Sequence, residues 1–267
     1  ALLKIDLKNT QTGVGGTNVS QSAANNYAAP DFAFSYQTGQ GLAFGAGVQV
    51  GAGLGADFRD DPIKVGAIPG MELPFTSELL SLNANLSVAK QITPATSIGA
   101  AATVGYGLLQ LGTVGQSGPD IPTGQFGWTT SSVHDTAAGF SLGITQQISE
   151  RLTLGALYKS KLKYTFKDVT FTSIPPKGFQ TLTVEQPAEY GIGAAITLSS
   201  LWLIEIDLMR NLWSEASTYK DVYKDQTIFM IGTQYELGNW SFRAGYSHQS
   251  NHFRDEPNDK IDALYGI

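Results

Sequence analysis

The chain has 267 residues, a formal net charge of −6, thirty glycines and no cysteine. The missing cysteines exclude thiol catalysis, disulfides and thiolate metal sites together, and the acidic balance offers no basic footprint for nucleic acid. No run of about eighteen apolar residues occurs, so no helical membrane span is predicted; the near-neutral mean hydropathy fits apolar and polar faces averaging out.

About eleven segments switch apolar and polar residues with period two, and the gaps between them alternate in length. The short gaps are Gln37-Gly41, Gln91-Thr96, Ile148-Arg151, Leu198-Leu201 and Gly238-Asn239. The long ones are Lys8-Pro30, Ala56-Leu79, Gly112-Val133, Asp168-Gln180 and Ser214-Asp225. Successive side chains of a strand point to opposite sides. Over 80–88, Leu80, Leu82, Ala84, Leu86 and Val88 therefore oppose Ser81, Asn83, Asn85 and Ser87. Over 97–108, Ile98, Ala102, Val104, Tyr106 and Leu108 oppose serine, threonine and glycine. A single strand is predicted over 152–164, with Leu152, Leu154, Tyr158, Leu162 and Tyr164 opposite Thr153, Gly155, Lys159, Lys161 and Lys163. Near the end, Trp240, Phe242, Ala244 and Tyr246 oppose Ser241, Arg243, Gly245 and Ser247.

A soluble β-sandwich also alternates. Segments of roughly 9–14 residues exceed the usual soluble strand of about 5–6 and match a tilted strand crossing a bilayer. Long connections at one rim and short ones at the other are the wiring of an outer-membrane barrel. The fold class predicted is all-β, a transmembrane antiparallel β-barrel forming one domain over 1–267, in the outer membrane of a Gram-negative bacterium. Trp202 and Trp240, at the starts of two strands, are candidate interface anchors; packing in a soluble core is their competing role. The odd strand count and the lack of a signal peptide at Ala1 predict that residues before Ala1 and about three strands after Tyr265 are absent from the sequence.

The segments Arg151–Leu162, Gln186–Gly193, Asn211–Ser214, Lys224–Tyr235 and Phe242–Tyr246, with Leu82–Ala89, resemble in order and spacing the long-chain fatty-acid and toluene-type outer-membrane transporters. The resemblance spans most of 80–250 and is weaker over 1–79. It implies a fourteen-stranded barrel, about eleven strands of which lie in this sequence. It further implies a lumen closed by an N-terminal hatch, and sideways release of hydrophobic molecules through a gap beside a kinked third strand. The family's hatch precedes the first strand and is assigned to no residue here.

Candidate site residues follow along the chain. In the segment 41–55, Gly45, Gly47, Gly51, Gly53 and Gly55 either bend the strand and open a lateral window or let neighbouring side chains fill the lumen. The long connections carry apolar residues, Ile68, Met71, Leu73, Phe75, Phe126 and Trp128, which form a capture groove for substrate, pack against one another over the barrel mouth, or do both. Lys159, Lys161, Lys163 and Arg243 share lumen parity with Glu189, Glu205, Asp207 and Glu236, so cross-lumen networks are expected. A cation left over, with Lys159, Lys161 and Arg243 as candidates, would hold a carboxylate head group; a neutral hydrocarbon needs none.

An alternative is an outer-membrane acyl hydrolase, because the string around His248 and Ser250 resembles the nucleophile region of outer-membrane phospholipases and lipid A deacylases. Against it, the transporter resemblance runs through these residues, no glycine follows Asn251, and no third member orients His248. An aqueous porin would want a charged constriction. The three histidines, His134, His248 and His252, stand on separate segments, and no metal or other cofactor is expected. The predicted function is transport without catalysis, with a hydrophobic small molecule as substrate and outer-membrane lipid and lipopolysaccharide as surroundings.

Overall fold

A computed structural model describes residues 2–13, 16–64, 70, 72–113, 132–172 and 178–253. The first strands are β1 (Leu2–Lys4), β2 (Lys8–Gly13), β3 (Gly16–Gln21), β4 (Asn26–Ala28), β5 (Asp31–Gln37) and β6 (Leu42–Asp57). Next come β7 (Ile63–Lys64), β8 (Glu72–Leu73), β9 (Phe75–Thr93), β10 (Thr96–Thr113), β11 (Val133–Ser149) and β12 (Leu152–Lys159). The last are β13 (Leu162–Thr172), β14 (Gly178–Gln186), β15 (Glu189–Ser199), β16 (Trp202–Asn211), β17 (Gln226–Leu237) and β18 (Trp240–Gln249). Ten of them pair into one antiparallel sheet in the order β18-β17-β16-β15-β12-β11-β10-β9-β6-β5. The expected first segment lies outside this wall, because β1 pairs with β4 instead.

All five short gaps are tight turns between neighbouring wall strands, and Gly41 and Gly238 adopt the positive φ values of 70° and 61° that such turns favour. Beside three of these turns the register shifts by one residue, leaving Ile92, Ile148 and Leu198 as exposed extra residues at the short-turn rim. Trp202 and Trp240 stand at the same rim, and the Trp202 indole N–H donates to Thr233 Oγ1 at 2.7 Å. The strands β9, β10 and β11 have 19, 18 and 17 residues, longer than the roughly 9–11 that a tilted crossing needs. They extend beyond the bilayer.

The apolar parity faces outward. Leu86, Ile192 and Tyr246 are 70%, 60% and 63% exposed, whereas Ser81 and Asn83 on the other face are each 1% exposed. A continuous aliphatic and aromatic exterior is unfavourable in water and suited to hydrocarbon. What covers Ser81 and Asn83 corrects the expectation of one strand over 152–164. The ladder ends at Ser160, whose amide donates to the Phe140 carbonyl while its hydroxyl accepts the Phe140 amide, both at 2.8 Å. A side chain has taken the place of the next backbone partner, and the chain turns inward as the hairpin β13–β14.

Leu162, Tyr164 and Phe166, expected to continue the outer face, instead dock on the inner face of β9, β10 and β11. With Leu109, Ala137, Val169 and Val184 they form a buried core inside the wall. Three wall glycines make room. A Cβ on Gly105 would run into the Tyr164 hydroxyl, one on Gly107 would lie 2.7 Å from the Tyr164 ring and 2.9 Å from the Phe166 ring, and one on Gly139 would lie 2.7 Å from Leu162. The Tyr164 and Ser81 hydroxyls share a hydrogen bond of 2.8 Å, Ser81 donates to Asn83 Oδ1 at 3.0 Å, and Asp135 accepts the Thr165 amide at 2.6 Å.

The connection between β16 and β17 clamps the hairpin from the long-connection rim. The Ser217 amide donates to Glu185 at 2.6 Å and the Thr218 hydroxyl to the Thr183 carbonyl at 2.6 Å. Its own core is aromatic: Trp213 meets Tyr219 and Tyr223 edge-on at 5.3 and 5.2 Å and stacks on His252 at 6.0 Å. Burial pushes the Tyr219 phenol up to about 12 and holds His252 below its ordinary 6.5.

Two outcomes follow from this packing. Gly107→Val overfills the socket at a cost of about 1–3 kcal/mol, so limited proteolysis should newly cut within 160–188 while heat-modifiable gel mobility reports an intact wall. The cluster prefers neutral His252, so its contribution is complete above pH 6.5 and is lost as pH falls through the lowered value. In a variant keeping Trp213 as sole tryptophan, acidification should red-shift its emission, and His252→Phe should remove that dependence.

Candidate functional site

The lumen holds a cavity of about 600 Å³ on the inner face of β9 to β17. Its floor is glycine: Gly99 faces Gly143 across β10–β11, and Gly155 faces Gly193 across β12–β15. Small residues in register on adjacent strands lower the wall locally, and Leu157, Met209 and Met230 supply apolar sides. Two carboxylates, Glu205 and Asp207, complete it, with the Asp207 side chain lying over Gly193. Lumen parity was legible for both acids, but the hollow requires the cross-strand register, which no single segment carries.

The predicted cations lie elsewhere. Lys159 pairs with Glu189 at 3.5 Å, and Lys161 and Lys163 both pair with Glu185, at 3.6 and 3.7 Å. Lys161 and Lys163 thus belong to the hairpin and its approach, not to the wall. Arg243 donates from Nε to Gln234 Oε1 at 2.6 Å, and the Gln234 amide donates onward to Glu236 at 2.6 Å, near the short-turn rim. Networks therefore occupy these groups, as the parity argument expected.

In the segment 41–55 the glycines do not share one face. The register of β6 on β9 slips between Val50 and Ala52, so Gly51 is an extra residue, and a one-residue slip exchanges the faces beyond it. Gly45, opposite Ser87, has lumen parity, and Gly53, opposite Leu80, has outer parity. A Cβ on Gly51 would run into the Asn83 amide, and one on Gly45 would crowd the Ser87 hydroxyl, while Gly47 lies 3.1 Å from the Phe32 carbonyl in the same sense. The adjoining strand β5 pairs with β6 only over Ala43–Gln49. Farther along, β6 is met on that side by the segment before β5: the Tyr27 hydroxyl donates to the Gly55 carbonyl at 2.6 Å and the Ala23 amide to the Asp57 carbonyl at 2.8 Å.

Of the groove residues, Leu73 pairs with Ile63 in the β7–β8 hairpin, and Phe75 begins β9 with its carbonyl accepting the Phe58 amide at 2.7 Å. Ile68, Met71, Phe126 and Trp128 lie outside the described residues. At the hydrolase candidates, His248 has outer parity opposite Phe229, and the Ser250 hydroxyl accepts the Thr227 amide at 2.9 Å. That serine extends the ladder of β18.

The sequence profile of the family described as outer membrane protein transport protein (OMPP1/FadL/TodX) matches residues 3–260. Among solved structures, the fold is similar to the Pseudomonas putida toluene transporter TodX, with a TM-score of 0.65 and 22% identity over 93% of this chain and 74% of that one. It is similar to the Ralstonia pickettii toluene transporter TbuX, with a TM-score of 0.63 and 22% identity over 93% of this chain and 76% of that one. It is also similar to a Pseudomonas aeruginosa FadL homologue, with a TM-score of 0.68 and 14% identity over 97% and 72%. No curated protein sequence matches the chain. The profile match over nearly the whole length, on a wall that is apolar outside and encloses a lumen cavity, shows that this chain belongs to the OMPP1/FadL/TodX family of outer-membrane transport proteins of Gram-negative bacteria, which are channels and not enzymes.

Proposed function

We propose that the protein takes up hydrophobic small molecules, fatty acids or aromatic and aliphatic hydrocarbons, and releases them sideways through its wall. The observation that carries the lateral step is the coincidence of two breaks in one place: β6 slips register at Gly51, and β5 stops pairing at Gln49. A wall strand that loses its neighbour where it is also bent is where a barrel opens at least cost in backbone hydrogen bonds. The relatives described as toluene transporters support the substrate class.

The route begins at the external rim, where Ile68, Met71, Leu73, Phe75, Phe126 and Trp128 offer apolar surface for capture. It continues into the glycine-floored cavity and ends at the gap beside Gly51, with Gly45, Gly47, Gly53 and Gly55 flanking the bend. Lys159, Lys161 and Arg243 act in this scheme through the networks that hold hairpin and wall. Outer-membrane lipid and lipopolysaccharide cover the exterior, and Trp202 and Trp240 anchor it at the short-turn interface. The gradient and the partition of apolar surface out of water drive the passage, at roughly 25 cal/mol per Å² removed.

Deleting Gly51 removes the bulge and tests the lateral step directly. Uptake of radiolabelled toluene into vesicles carrying the full-length protein should fall about tenfold, the weight of about 1.4 kcal/mol on the barrier, with heat-modifiable mobility retained. Undiminished uptake in a folded variant would refute release at this position.

A further inference from the structure

The lumen cavity carries a sign of charge as well as a shape. Glu205 and Asp207 are two residues apart on β16 and face the same way, roughly 7 Å apart along the strand. Neither has a hydrogen bond or ion pair among the described residues. The cations of lumen parity are committed elsewhere: Lys159 to Glu189, Lys161 and Lys163 to Glu185, and Arg243 to Gln234. None of these four lines the cavity, whose remaining walls are glycine, alanine, leucine, methionine and hydroxyl side chains.

We infer that this cavity passes uncharged apolar ligands and turns anionic amphiphiles away, with Glu205 and Asp207 as the residues that discriminate. The inference rests on the uptake function proposed above and narrows its substrate class to neutral molecules. The volume of about 600 Å³ accommodates a single aromatic ring or a medium-length alkyl chain, so size does not separate a hydrocarbon from a fatty acid. Charge does. A ligand carboxylate entering the cavity would lose part of its hydration and stand beside two like charges, with no cation in the lining to accept it. An alcohol or a hydrocarbon of the same length meets no such penalty and buries the same apolar surface. Placing charges against the unwanted ligand is a general route to selectivity, and it leaves affinity for the favoured ligand intact.

The decisive comparison uses two probes with the same chain and different heads, dodecan-1-ol and dodecanoate, at a pH of about 8 where the acid is ionised. Protein-dependent uptake is measured into vesicles bearing the full-length wild type, the isosteric E205Q/D207N variant, or no transporter. The wild type is expected to take up the alcohol at least about tenfold faster than the carboxylate. The double variant should raise dodecanoate uptake about tenfold and leave dodecan-1-ol within about twofold. Equal rates for the two probes in the wild type would overturn the inference while leaving the uptake function standing, as would a folded double variant with unchanged dodecanoate uptake. If the double variant does not fold, the wild-type ratio and the single D207N variant decide. Failure of dodecan-1-ol, dodecanoate and toluene alike to enter above the empty vesicles would remove the proposed function itself, and this inference with it.

Discussion

In hydrocarbon a backbone N–H or C=O finds no water, so every such group in the wall must find a partner on the next strand. That constraint explains why ten strands run in one unbroken ladder order and why their connections are tight at one rim. It also makes each departure from pairing informative. The ladder is interrupted beside the short turns, at Ser160 and at Gly51. The first set lies at an interface where water returns, the second hands the ladder to a side chain and sends a hairpin inward, and the third lies where β5 has stopped.

The hairpin is built to the opposite specification from the wall. Its residues Leu162, Tyr164 and Phe166 bury their apolar side chains inside the barrel, against a wall that is otherwise hydrophilic there. Packing of this kind needs vacated volume, which Gly105, Gly107 and Gly139 provide. The glycines at Gly99, Gly143, Gly155 and Gly193 vacate volume in the same way, yet no side chain of another segment fills theirs, apart from Asp207 over Gly193. One device, a row of glycines facing the lumen, thus yields a filled socket toward one end and an open cavity toward the other.

How much of this was legible follows from what period two can encode. Alternation at Leu80–Val88 or Trp240–Tyr246 states that a strand has two unlike faces, and the five short gaps mark where it reverses; both readings survive in the structure. Alternation does not state what lies against the polar face. Residues 152–164 keep perfect parity through Ser160, so the inward turn there leaves no trace in the period, and Tyr164 reads as one more lipid-facing aromatic. Likewise the odd-numbered glycines 45–55 read as one stripe until the extra residue at Gly51 transfers the later ones to the other face. The cavity needed Gly99 to lie opposite Gly143 and Gly155 opposite Gly193, which is a property of register between segments distant in sequence.

Asn83 joins the two departures that matter most for transport. Its side chain occupies the space that Gly51 leaves open, and its Oδ1 accepts from Ser81, which in turn bonds the Tyr164 hydroxyl of the docked hairpin. Its Nδ2 is buried with no hydrogen-bond partner among the described residues, a state that costs about 1–3 kcal/mol. A fully paired alternative would need β6 to run through without its bulge, and a straight β6 has no room for this amide. The unsatisfied donor is therefore the local cost of bending the wall, set at the contact between the bend and the hairpin. Movement of either element changes the environment of the same side chain, so the slip in the wall and the seating of the hairpin are energetically coupled through one residue.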